Sequence, residues 1–159
     1  DYRGGVLLDL LTRPQHPVTD YHTGITGLRA EHFNQPGTSS FEALRRSAAM
    51  FLADRIIVGF ELWLSLTLLR LSHPTKMTRD LSTYMVFRPD QLNSPPVTLP
   101  GLVRTYLRRE IRGSFMNPVE DGRAAIDLFR CCEVQWEETI SQNLWPSYLP
   151  PDQYAQCFT

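Results

Sequence analysis

The longest proline-free stretch of the chain lies between Pro36 and Pro74, and its part from Ser40 to Ser72 is 33 residues long. Twelve prolines and nine glycines divide the rest of the 159 residues into shorter blocks. A single helix over this stretch would be roughly 50 Å long, whereas a globule of this size has a radius of gyration of about 15 Å. The stretch is therefore either the spine of the fold or broken, and Gly59 is the natural place for a break. Ser39 followed three residues later by Glu42 makes a capping box at its start. At 100° per residue, Ser47, Asp54, Glu61, Ser65 and Ser72 fall in a narrow polar stripe, and most of the remaining circumference is apolar.

A helix of that kind is enclosed on most sides. The expected architecture is mostly α, a single helical domain over residues 1–159 around a long, largely buried central helix, with a Pro/aromatic segment at 145–159. Residues 60–68 also alternate apolar and polar, so the alternative is α+β with strands near 60–68 and 82–87. Leucine dominates over β-branched residues here and tips the balance to helix.

Further helices are expected at 76–87 after Thr75, at 99–112 after Thr98 with Pro100 in the first turn, and from Pro118 to about Asn143. Asn117, Pro118 and Glu120 make another clear start signal, after the stronger one at Ser39 and Glu42. Residues 88–98, with three prolines, read as a linker or lid-like loop.

Charge excludes some functions. The 16 basic and 17 acidic residues give a net charge of −1, which argues against a globally basic nucleic-acid binder but not against a local patch. Fifteen of the basic residues are Arg and only Lys76 is Lys. That bias suits bidentate contacts and stacking in an interaction protein, such as a viral or regulatory accessory protein. No apolar run is long enough for a membrane span. Three cysteines, Cys131, Cys132 and Cys157, leave at least one thiol free and predict a reducing intracellular compartment, cytoplasm or nucleus. An opening Asp1 in place of Met predicts a fragment or a processed piece.

The signals for catalysis are weak. His16, Asp20 and His22, with Glu31 and His32 beyond, lack the spacing of a metal site. No GxSxG, SxxK or phosphate-binding glycine loop is present. Cys131 and Cys132 read as inert core thiols, and Glu133 with Glu137 as a solvated acidic face. Glu61, if enclosed, needs a partner, an Arg being the simplest. No catalytic residue, metal ligand or cofactor is therefore assigned.

The best candidate surface is basic. Arg104, Arg108 and Arg112 recur every four residues and would form one stripe on a 99–112 helix, with Arg109 beside it. Trp145, Tyr148 and Tyr154 in the tail form a second candidate surface. The expected function is a non-enzymatic helical interaction or self-assembly module. Its expected partner is a protein with an acidic or apolar surface, or another copy of the chain. An RNA- or DNA-binding protein using the Arg-rich helix is the first alternative. A small hydrolase or metalloenzyme is the second.

Overall fold

The computed structural model describes residues 1–88 and 96–158. Most of the expected 88–98 linker, and the last residue of the 145–159 segment, lie outside the described residues. In chain order the elements are α1 (Thr23–Thr26), α2 (Ala30–Phe33), α3 (Phe41–Leu52), β1 (Ile57–Gly59), α4 (Leu62–Leu69), β2 (Thr78–Asp80), α5 (Leu99–Leu102) and α6 (Pro118–Ser141).

The 40–72 rod does not form. It divides into helix, strand and helix. Ser40, one residue after the expected cap, accepts a hydrogen bond from the Ala43 amide and starts α3. Asp54 and Glu61 adopt left-handed backbone, with φ of 54° and 52°, and the chain between them is extended. The cause is the run Ile56-Ile57-Val58: β-branched side chains lose rotamer freedom in a helix and pack well in a sheet. At Gly59 an added Cβ would lie 2.5 Å from the Leu62 side chain, so glycine is what lets the strand turn tightly into α4.

β1 pairs in parallel with β2, in the register Ile57 to Thr78, Val58 to Arg79 and Gly59 to Asp80. Parallel neighbours need a crossover connection, and α4 lies in it. This β-α-β unit overturns the mostly α architecture: the fold is α/β. It also displaces the strands of the alternative. Residues 60–68 fall mainly in α4, where Leu is at home, and 82–87 form turns ending in a 3-10 turn at Met85–Phe87. The helix expected over 76–87 is replaced by a 3-10 turn at Thr75–Met77 followed by β2.

The organising element is α6, not the 40–72 segment. Asn117 caps it by accepting from the Val119 and Glu120 amides, and Pro118 occupies the first turn as expected. Ala124, Ala125, Leu128, Phe129, Cys132 and Trp136 recur at helical spacing and are all buried. They meet Leu81, Tyr84, Phe87, Leu99, Leu102, Val103 and Ile111 in the main core. Tyr84 stacks on Trp136 at 4.1 Å between ring centres. By contrast α3 buries only Ala48, and its Met50 is 78% exposed. A second, smaller core joins Ile57, Leu66 and Cys157, which brings the C-terminal segment back onto α4. Among the described residues no helix is long and apolar enough to cross a membrane.

Candidate nucleic-acid interface and the acidic set around Arg112

The helix expected over 99–112 is short, and that dissolves the basic stripe. Thr98 caps α5 through the Gly101 amide as expected. Regular α-helix ends at Leu102, one π turn follows at Val103–Leu107, and Arg108 turns left-handed at φ 54°. Arg112 is also left-handed, at φ 62°. Three arginines four apart share a face only on a continuous helix, so Arg104, Arg108 and Arg112 point to different neighbours.

Three of the four arginines in this segment are paired. The Arg104 guanidinium donates to Glu110 at 2.6 and 2.8 Å in an exposed pair. Arg109 donates to Asp127 at 2.8 Å. Arg112 donates from Nε and Nη2 to the Asp121 carboxylate at 3.0 and 2.8 Å. Its backbone amide also donates to Glu120 Oε2 at 2.8 Å. The hydrogen bonds to Asp121 hold the Arg112 guanidinium more firmly protonated than usual, and the charges of Asp121, Glu120 and Glu61 act in the same direction. No hydrogen bond or ion pair joins the Glu61 side chain to an arginine among the described residues. Arg108, exposed like Arg104 and Arg109, is the one of the four that makes no hydrogen bond or ion pair among the described residues.

The aromatic tail lies on its own chain. Tyr154 rests 6.4 Å from Trp63 between ring centres, and the Tyr148 hydroxyl donates to the Arg88 carbonyl at 3.3 Å. Trp145 and Tyr148, with Trp63, wall a cavity of about 220 Å3 whose polar lining includes Thr78, Asp80, Thr83 and Ser147. Among the described residues the buried Ser147 hydroxyl has no hydrogen-bond partner.

The most enclosed polar groups were not singled out from the sequence. Arg79, only 2% exposed, donates to both Glu137 oxygens at 2.6 and 2.9 Å and ties β2 to α6. Glu137 is thus an anchor and not part of a solvated face. Asp80 accepts from the Glu61 and Leu62 amides at 3.0 and 2.7 Å and so caps α4 from the neighbouring strand. Ser82 adds its amide and its hydroxyl. Burial outweighs these donors and pushes the Asp80 carboxyl up to about 6. The pattern Asp80-x-Ser82 is a local signal for such an acceptor, but its partner amides lie about twenty residues away in sequence.

Cys132 is buried, and burial pushes its thiol up to about 12, which makes it inert. Cys131 is exposed, against expectation. His22 contacts Asp20 at 3.1 Å on the surface. Among the described residues no three His, Cys, Asp or Glu side chains converge where a metal could bind.

Solved structures share this fold. The Pan2 catalytic unit of Neurospora crassa, with its protease and nuclease domain, superposes at a TM-score of 0.71 with 16% identity. The match covers 88% of this chain and 23% of that one. The Saccharomyces cerevisiae apo Pan2 pseudoubiquitin hydrolase–RNA exonuclease module, solved with A7 RNA, gives 0.69 with 16% identity over 92% of this chain and 26% of that one.

Curated relatives are nearer in sequence. RNA exonuclease 4 of Kluyveromyces lactis is 33% identical over 147 residues, covering 92% of this chain and 49% of the relative. Human apoptosis-enhancing nuclease is 31% identical over 161 residues, covering 95% and 48%. The chain spans about half the length of these relatives. No protein-family model matches it. These relatives overturn the non-enzymatic interaction or accessory module expected from the sequence: what they indicate is a nuclease function.

Proposed function

We propose that this protein acts on RNA, as part of a nuclease with the α/β fold described above. The observation that carries this reading is the 33% identity to an RNA exonuclease along 92% of the chain. The fold shared with Pan2 supports it. The reaction class is phosphodiester hydrolysis, and this chain's own contribution is to hold the strand.

Two features suit that task. Arg108 is an exposed cation with no partner among the described residues, two positions from the 44%-exposed Tyr106, and such residues can meet a phosphate and a base. Trp63, Trp145 and Tyr148 present aromatic walls around a small cavity with a polar floor, a setting in which a base can stack and hydrogen-bond. Arg104, Arg109 and Arg112 are each engaged by a carboxylate and contribute less. Free thiols at all three cysteines fit an intracellular site of action.

The test is fluorescence anisotropy with labelled single-stranded RNA, duplex RNA and single-stranded DNA over a salt series. Single-stranded RNA should bind, more weakly as salt rises, and Arg108→Glu should reduce affinity severalfold. If RNA of either form leaves the anisotropy unchanged at low salt, the reading fails. A preference for DNA would move the substrate class.

A further inference from the structure

Many nucleases clamp the scissile phosphate between two divalent ions held by carboxylates. The described residues do not fit that arrangement. Among the described residues no three potential ligands converge, and where two carboxylates of α6 meet the same residue, that residue is a cation. There the Arg112 guanidinium is held in a two-nitrogen grip by Asp121, its amide is held by Glu120, and the Glu61 charge reaches it.

Two aspects make Arg112 a fixed component. Its backbone is left-handed, at φ 62°, a conformation that costs a non-glycine residue energy and persists only where its surroundings impose it. Asp121 and Glu120 lie in the first turn of α6, and Asn117 caps that turn, so both carboxylates stand on a rigid element. A planar, permanently charged guanidinium suits a carboxylate pair in this position. Bound this way, it holds a positive charge against the carboxylate oxygens that a divalent ion would need.

We propose that Arg112 is the resident counter-ion of the Glu61, Glu120 and Asp121 set and stands in place of a divalent metal. The chain's described residues then bind RNA without forming a metal-dependent cleavage centre of their own. Hydrolysis by the nuclease proposed above would draw its metal ligands from elsewhere. This inference rests on the RNA reading for its substrate but not for its metal chemistry.

The experiment uses the 159-residue chain, stripped of metal. Mn2+ is titrated and free Mn2+ is followed by electron paramagnetic resonance, with labelled single-stranded RNA binding and length followed in Mn2+ and in EDTA. The expected result is no stoichiometric Mn2+ site, equal RNA binding in both buffers, and intact RNA. One or two Mn2+ bound per chain, or RNA shortened in Mn2+ and preserved in EDTA, overturns the inference. Absence of RNA binding with no Mn2+ site removes the RNA reading and leaves the counter-ion assignment standing. Melting curves test Arg112 directly: Arg112→Gln should lower the melting temperature, and Arg112→Lys, which keeps the charge, should recover part of the loss. A Gln variant as stable as the parent chain overturns the assignment.

Discussion

The Arg79–Glu137 pair and the Arg104–Glu110 pair have nearly the same geometry, each with a shortest contact of 2.6 Å. Their surroundings differ. The Arg79 side chain is 3% exposed beneath α6, whereas both members of the Arg104 pair are about two-thirds exposed. The lesson is that distance alone does not rank these contacts. A buried charge left unpaired is costly, while an exposed pair exchanges one hydrated state for another.

The largest effect should come from Glu137→Ala. It leaves the Arg79 guanidinium enclosed with only carbonyl partners, at a cost of about 3–5 kcal/mol. Urea denaturation monitored by tryptophan fluorescence would measure it. A loss close to that of an exposed pair would erase the contrast.

Asp80→Asn comes next. An amide cannot accept from every donor that now reaches the carboxylate, and a buried amide left unpaired costs about 1–3 kcal/mol. The pH dependence has a definite sign. The Asp80 carboxyl titrates near 6 in the fold against 3.8 when free, so the folded state binds its proton more tightly. Its contribution to stability is complete below about pH 4 and is lost as pH rises through about 6. Melting temperatures of the parent chain and the Asn variant, compared across that window, should converge as pH rises if this contribution operates. A gap independent of pH would rule it out.

Asp121→Asn should have a smaller effect, about 1 kcal/mol, because its pair with Arg112 is partly open to solvent. Calorimetric melting would resolve it. Smallest of all, Arg104→Ala should leave the melting temperature unchanged at physiological salt, and a clear drop would show that exposure is the wrong criterion.

The same contrast explains what could be read from the sequence. The α6 start was legible because Asn117 accepts from amides of the first turn it caps and Pro118 fits within that turn. The Thr98 cap was legible for the same reason. The division of the 40–72 segment was not, because its strand is stabilised by pairing with β2, about twenty residues further on. A period of two in Phe60–Leu68 pointed to a strand that the Leu-rich segment does not form, while the strand itself sits just before it at Ile57–Gly59. The arginine stripe failed because repeat spacing implies a shared face only if the helix continues, and left-handed backbone at Arg108 ends it. The likeness to nucleases emerged only from comparison along 147 residues, and the sequence reading had found no catalytic motif to point to it.

Seven non-glycine residues among those described adopt positive φ: His22, Asp54, Glu61, Arg70, Arg108, Arg112 and Asn143. Each carries a Cβ where glycine would relieve a steric penalty of roughly 1 kcal/mol. Asp54, Arg70 and Asn143 stand at or near helix ends and lie outside the charge networks described here, so they form a ready set for hardening the molecule. Glycine there should raise thermal resistance without touching Arg108 or the aromatic cavity, and a sturdier parent would tolerate the more damaging substitutions needed to dissect its chemistry.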